Sequence, residues 1–231
     1  DESFPPALFI KLPPMMVERD LGIYWTTLIR FESQLLDPKL WDMAHRSGCR
    51  SLYYGLESAN ERIIKLVKKD TDIEAAKINL EQAKRVGIWS HVMCFYGFPS
   101  ETPEEAEDTR QFLIQHQDMI PSVEMYFFVL YKSAPVMFQT EEYKIRVKEN
   151  PEHDLALDFY YTPDSGQTTE EAMARYEDFY RNDFDPWALR INAREHVLLY
   201  ITHFGTSDLP DLYVKNNREA HESNLAPEVI L

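Results

Sequence analysis

The sequence predicts an α/β protein built on parallel strands, with a helical extension at its carboxyl end. Four runs rich in β-branched and aromatic residues alternate with segments that carry helix caps and helical apolar spacing. The intervals between the runs are long enough for a crossover helix, as parallel pairing requires. Two of the runs end in glycine and polar residues directly before a helix start: Ser51-Leu-Tyr-Tyr-Gly-Leu-Glu-Ser58, and His91-Val-Met-Cys-Phe-Tyr-Gly-Phe-Pro-Ser-Glu-Thr102. That is the form of a strand delivering a loop at its carboxyl end, where α/β proteins place their chemistry.

The first strand is expected at about 22–30, where Ile23-Tyr-Trp-Thr-Thr-Leu-Ile29 is followed by Arg30-Phe-Glu-Ser33. Asp37-Pro38 then supplies an N-cap and a proline in the first helical turn; Leu40, Met43 and Ala44 share a face, and Gly48 stops the helix. The second strand is expected at about 50–56. Ser58 with Glu61, and Thr71 with Glu74, read as capping boxes that open two helices. Ile63, Ile64 and Val67 face inward on the first; Ala75, Ala76, Ile78, Leu80 and Ala83 do so on the second, which Gly87 closes. A third strand is expected at about 88–96. Thr102-Pro103-Glu-Glu105 opens a helix reaching about Gln117, and a fourth strand is expected at about 122–131.

Beyond Lys132 the character changes. Residues 132–167 hold Pro135, Pro151, Pro163 and many charges, and read as loop with a little irregular structure. A helix follows the Thr168/Glu171 capping box, with Met173, Tyr176, Phe179 and Tyr180 on one face; another starts at Asp185-Pro186 with Leu189, Val197, Leu198 and Ile201; residues 206–231 read as a loosely held end.

The chain has 231 residues, 44% hydrophobic, with 39 acidic against 24 basic side chains and a net charge of −15. That is enough apolar surface for a core, and the charge works against binding a nucleic-acid backbone. No apolar run approaches a membrane span, and no signal peptide opens the chain, so a cytoplasmic protein is expected. The two cysteines, Cys49 and Cys94, read as reduced, buried thiols. Asp1-Glu-Ser-Phe4 opens without an initiator Met, and the chain reads as a fragment of something longer.

Individual residues divide between structural and chemical readings. Glu57 precedes a helix and could serve its dipole, but Ser58 already reads as the cap, so a second carboxylate there points to function. Arg30 ends a hydrophobic strand; it suits either a surface salt bridge with Glu32 or a two-bond grip on a ligand carboxylate. Tyr96, Gly97 and Phe98 read as a turn, with Gly97 permitting close backbone approach. His91 reads as a satisfied core or barrel-lining residue, and His45, His116, His153, His196, His203 and His221 show no metal spacing. Glu101, Glu104 and Glu105 read as partners of a helix amino terminus, and Phe159-Tyr160-Tyr161 and Tyr176-Phe179-Tyr180 as core or lid packing.

From Asp1 to about Met137 the chain resembles the carboxyl-terminal part of the barrel of radical S-adenosylmethionine (radical SAM) enzymes. Asp1-Glu-Ser-Phe4 looks like the motif that ends the family's third strand, Trp25–Glu32 like its fourth, and Tyr54-Gly-Leu-Glu-Ser58 like its fifth, with Lys68 and Thr71 in the Lys-x-x-Thr pattern that follows. Gly87-Ile88 and Gly97-Phe-Pro-Ser-Glu-Thr-Pro-Glu104 are similar to the sixth-strand region, with Ser100 in place of a glycine, and Ser133-Ala-Pro135 to a degraded Pro-Gly-Thr motif. The order and spacing of these motifs select a partial (β/α) barrel over an open doubly wound sheet, which periodicity alone does not separate. The layout is most like members that carry a cobalamin-binding domain.

The resemblance implies a barrel part over 1–137 and a carboxyl-terminal extension over 138–231. It implies cofactor contacts from Arg30, Glu57, Ser58, Tyr96, Gly97 and Phe98, the last three as a shelf against adenine. In the intact parent it implies S-adenosylmethionine, a [4Fe-4S] cluster and cobalamin, with formation of a 5′-deoxyadenosyl radical that modifies a small-molecule or peptide substrate. The Cys-x3-Cys-x2-Cys and Gly-Gly-Glu motifs of the family do not occur, and two cysteines cannot supply the three usual protein ligands of such a cluster. An isolated chain without catalytic activity is therefore expected. The alternative is a non-catalytic scaffold or interaction module that retains half a barrel; an ordinary α/β enzyme is disfavoured, because no nucleophile–base pair or phosphate loop is present. Four strands cannot close a barrel, so an open edge on the amino-terminal side is expected, covered by missing strands or by a second copy.

Overall fold

The structure, a computed structural model, describes residues 4–69, 71–148 and 157–183. Its centre is a four-stranded, wholly parallel sheet of β1 (Trp25–Ile29), β2 (Cys49–Glu57), β3 (Trp89–Tyr96) and β4 (Ser122–Phe127), in sequence order. The crossovers contain α2 (Pro38–Arg46) between β1 and β2, α3 (Glu61–Leu66) and α4 (Ile73–Val86) between β2 and β3, and α5 (Pro103–Gln115) between β3 and β4. Residues of alternate parity along each strand face opposite sides. Leu52, Tyr54, Leu56, Val92, Cys94, Tyr96, Val123 and Met125 pack with Trp41, Leu80, Phe112 and other helix residues into one core. Tyr53, Trp89, His91, Glu124 and Tyr126 lie on the other side, which in a barrel is the interior.

Helix caps set the element boundaries, though not always with the expected residue. Thr102 and Glu105 form the expected capping box at α5. At α3 and α4 the expected Ser58 and Thr71 are replaced by Asn60 and Asp72, whose short side chains accept the first amide hydrogens. Asn and Asp cap as well as Ser or Thr and stand next to the first turn. In α2 the fully buried residues are Ala44, on the expected apolar face, and Trp41, absent from it.

A helix that sequence reasoning did not place, α1 (Pro6–Glu18), precedes β1 with Pro13 and Pro14 in its interior. Interior prolines argue against a helix because each removes a backbone bond. Packing overrides them here: the Phe9 ring lies 6.4 Å from Trp25 and 5.4 Å from Trp41. Just before this helix, the Phe4 amide donates to the Leu28 carbonyl at 2.8 Å, on the outer edge of β1. Among the described residues β1 and β4 are the sheet edges.

The expected fourth strand over 122–131 ends at Phe127, because its partner β3 ends at Tyr96. Leu130–Tyr131 (β5) then pairs antiparallel with Asp158–Phe159 (β7), and Ile145–Val147 (β6) with Tyr161–Pro163 (β8). These segments close a second core of Ile63, Phe98, Leu130, Val136, Tyr143, Ile145 and Tyr161. Helix α6 (Thr169–Asp178) follows its expected capping box. Of its expected apolar face, Met173 is exposed, Tyr176 and Tyr180 pack against the main core, and Phe179, just past the helix, is fully buried; Ala172, not on the expected face, is the buried residue within the helix. The expected helix from Asp185 and the end at 206–231 lie outside the described residues. No described helix is long and apolar enough to cross a membrane.

Candidate functional site at the carboxyl ends of the strands

Arg30 follows β1, exposed between buried Ile29 and Phe31. Phe31 stacks on Tyr54 at 4.3 Å between ring centroids. The backbone beyond it is held from α4 by Asn79, whose Oδ1 accepts the Glu32 amide at 3.1 Å. Among the described residues no ion pair joins Arg30 to Glu32, so the guanidinium is not committed to the surface bridge that was its structural reading.

Glu57 ends β2 in a strained conformation. Its φ is +66°, and the Ser58 amide donates across it to the Leu56 carbonyl at 2.8 Å, a γ-turn centred on a non-glycine residue. The register with β3 shifts at this point. The carboxylate folds back over its own strand, so that a Cβ on Gly55 would lie 2.8 Å from Glu57 Oε1. Strain of this kind, held by surrounding structure, concentrates at functional sites. Lys69 reaches the same carboxylate, Nζ to Oε1, at 2.8 Å, with the Glu57 side chain 20% exposed. Its delivery is equally specific. The Lys69 amide donates to Ile64 O and the Lys68 amide to Lys65 O, and Lys68 holds a φ of +58° where such a helix end usually has glycine. Lys68 itself, part of the Lys-x-x-Thr pattern, turns away to Glu142 at 3.1 Å.

The loop after β3 is locked to the extension. The Gly97 amide donates to Glu101 Oε2 at 2.5 Å, and its carbonyl accepts from the Tyr161 hydroxyl at 3.1 Å. Gly97 has a φ of +82°, and a Cβ there would stand 2.4 Å from that of Ala172, so only glycine lets α6 approach this closely. Ser100, at φ +71°, occupies a turn position that favours glycine, which is the structural meaning of the glycine missing from the motif. Glu101 is fully buried and also receives Gln167 Nε2 at 3.4 Å. Burial is the main cause that pushes its carboxyl up to about 7. Glu101, expected as a partner of the helix amino terminus, instead accepts from the Gly97 amide, whereas Glu105 does take part in the α5 cap.

The expected site residues therefore separate. Arg30 and Glu57 stand at the ends of neighbouring strands with charged groups at the surface. Ser58 is buried and its hydroxyl pairs with Thr109 at 3.0 Å. The Tyr96 ring lies in the main core, edge-on to Phe179, and Phe98 fills the second core against Phe128 and Tyr143. The rings of Tyr96 and Phe98 are thus taken up by packing, and what this loop presents is backbone. Lys69 and Asn79 carry no motif signal that would have marked them, and Gly55, although inside the Tyr54–Ser58 motif, was not singled out.

Cys49 and Cys94 are buried and unpaired with each other, and burial raises both thiols well above their ordinary range. No group of three metal-ligating side chains forms among the described residues. These residues do not fit an iron–sulfur cluster. A guanidinium and a carboxylate at adjacent strand ends do fit the charged and hydroxylated parts of S-adenosylmethionine.

The comparisons point to the same parallel α/β, partial-barrel fold. Residues 17–113 match the family model of the Radical SAM superfamily. The chain is 26% identical over 178 residues to the anaerobic magnesium-protoporphyrin IX monomethyl ester cyclase of Rubrivivax gelatinosus, covering 75% of this chain and 31% of that protein. It is 29% identical over 150 residues to the bacteriochlorophyllide d C-12(1)-methyltransferase of Chlorobaculum tepidum, covering 63% of this chain and 30% of that one. Its fold is similar to that of the radical S-adenosylmethionine methyltransferase TsrM from Kitasatospora setae, solved with cobalamin and a [4Fe-4S] cluster bound, at a TM-score of 0.62 and 14% identity over 90% of this chain and 48% of that one. These findings identify the segment 17–113 as radical SAM superfamily sequence, on a partial barrel of radical SAM type. The chain spans about a third of the length of these two curated relatives.

Proposed function

We propose that this chain is the cofactor-facing, carboxyl-terminal part of a radical SAM enzyme, and that its own residues bind and orient S-adenosylmethionine. The observation that carries the reading is the Glu57 γ-turn, a strained carboxylate at a strand end, beside Arg30 on the neighbouring strand. Arg30 suits the cofactor's carboxylate through two parallel hydrogen bonds, and Glu57 suits its ammonium or hydroxyl donors. The backbone of Gly97 and Phe98 contributes a flat edge, and the extension behind it keeps water from the loop. Bound S-adenosylmethionine supplies the adenosyl radical chemistry of the family. The cluster would take its ligands from outside this chain, and the likeness to TsrM supports a cobalamin-dependent parent. The two curated relatives are named for tetrapyrroles, which supports a flat ring substrate. The open β1 edge, occupied in part by Phe4, would receive further barrel strands or a second copy.

Calorimetry in a cluster-bearing parent tests this. Arg30→Ala and Glu57→Ala should each weaken S-adenosylmethionine binding by about 1.5–3 kcal/mol, the range for a charge-assisted hydrogen bond, with a smaller loss of fold stability. Unchanged affinity in both variants would refute the site. A second reading, a non-catalytic module, is favoured by the burial of both cysteines. It predicts no S-adenosylmethionine binding in any context.

A further inference from the structure

The strained turn at Glu57 is fastened from behind by α5, through a residue that carries no motif signal. Thr109 stands on the buried side of that helix, where its neighbours Ala106, Phe112 and Leu113 are apolar. It is fully buried, as is Ser58. Its Oγ1 accepts the Ala59 amide at 3.0 Å and lies 3.0 Å from Ser58 Oγ, one hydroxyl donating to the other. Ser58 Oγ in turn accepts the Asn60 amide at 3.1 Å. Two hydroxyls thus tie three consecutive residues, 58–60, to α5. The residue just before them is Glu57, at φ +66°, whose γ-turn is closed by the Ser58 amide.

A threonine inside a helix ordinarily turns its hydroxyl to solvent or to the carbonyl four residues back. Here the hydroxyl is spent on a segment 51 residues away in sequence. A buried hydroxyl costs free energy unless it is bonded, and these bonds form only while residues 58–60 keep their place. An extended backbone at Glu57 would swing Ser58 and Ala59 away from Thr109. The left-handed conformation, unfavourable for a residue with a side chain, is in this way imposed by its surroundings. Asn60 Nδ2 also donates to Asp108 Oδ2 at 2.7 Å, and Arg62 pairs with Glu105, so α5 anchors the start of α3 as well. The same arrangement occurs one strand earlier. Asn79, the polar residue among the buried alanines and Leu80 of α4, bonds to the backbone of Glu32 and Leu35 just past Arg30. In both cases the helix after the next strand fixes the loop that bears the charged group.

We propose that Thr109 is the positioning residue of Glu57: its hydroxyl holds the left-handed turn that presents the Glu57 carboxylate to the donors of S-adenosylmethionine. This rests on the cofactor reading for the ligand, and on the hydrogen bonds alone for the turn.

The full chain and its cluster-bearing parent test it together. In carbon-13 spectra of the full chain, the Glu57 backbone shifts should move from left-handed toward extended values in Thr109→Val, which keeps the side-chain shape without the hydroxyl, and should return in Thr109→Ser. In the parent, Thr109→Val should weaken S-adenosylmethionine binding about tenfold by calorimetry, and Thr109→Ser should bring it back to within about twofold. Leu113→Val, a buried change on the same helix, should lower thermal stability and leave both readouts unmoved, which separates positioning from general destabilisation. Ser58→Ala cuts the same chain of bonds more mildly and should shift the Glu57 signals in the same direction; it decides the matter if Thr109→Val does not fold. Unmoved Glu57 signals, a Thr109→Ser variant as weak as Thr109→Val, or full affinity in Thr109→Val where Glu57→Ala loses it would overturn the proposal. An affinity that ignores Glu57→Ala overturns the cofactor reading instead, and the Glu57 signals then still decide whether Thr109 holds the turn.

Discussion

Replacing Glu101 with glutamine should change how the stability of this chain depends on pH, and the structure gives the size of the effect. The carboxyl is fully buried, takes one short hydrogen bond from the Gly97 amide, and has Glu105, Arg175 and Arg62 as charged neighbours. Burial raises its pKa from 4.5 to about 7. The folded chain therefore holds this proton more tightly than the unfolded chain does. The contribution to stability is complete below about pH 4.5 and is lost as pH rises through about 7. At about 1.4 kcal/mol per pH unit the shift corresponds to about 3 kcal/mol. Glutamine keeps an oxygen for the Gly97 amide and does not titrate. Its NH2 group, in the place of Oε1, meets no partner among the described residues, which adds a cost independent of pH. The stability of Glu101→Gln relative to the natural chain should therefore rise by about 3 kcal/mol between pH 4.5 and 8.5. Urea unfolding followed by circular dichroism at intervals across that range measures it. A difference between the two proteins that stays constant with pH would refute both the burial of the charge and the lock between the loop and the extension.

Gly97→Ala should destabilise the fold by about 2–4 kcal/mol, since it adds left-handed strain to overpacking against Ala172. Pairing it with Ala172→Gly should recover part of that loss in thermal unfolding, and no recovery would show that the contact is not the cause. Gly55→Ala should leave stability within about 1 kcal/mol but push the Glu57 carboxylate off its strand, lowering S-adenosylmethionine affinity in the cluster-bearing parent about tenfold by calorimetry; unaltered affinity would separate Glu57 from the cofactor. Anaerobic reconstitution of the purified chain should give no stoichiometric four-iron absorption and no 5′-deoxyadenosine, because Cys49 and Cys94 are buried apart from any further thiolate.

The alternation of strands and helices was legible in the sequence because it follows from local signals. Apolar runs of strand length, a proline-led cap at Thr102 and a closing glycine at Gly87 each act within a few residues, and the structure places β1 to β3 and α5 close to where they indicate and β4 over the first part of its run. Arg30 and Glu57 were legible for the same reason, as polar residues at the ends of apolar strands. The rest depended on packing between segments distant in sequence. Helix α1 forms across Pro13 and Pro14 because Trp25 and Trp41 bury its Phe9. The roles of Tyr96 and Phe98 were decided by α6 and the second core, which arrive from the far side of the chain. Lys69 meets Glu57 only because two residues in left-handed conformation, Glu57 and Lys68, turn the backbone there. Likewise His91 stands opposite Ser122 only through the register of β3 against β4. Periodicity tells which face a strand residue shares, but which side chains of neighbouring strands stand opposite one another is fixed by the pairing itself, a property of the assembled sheet.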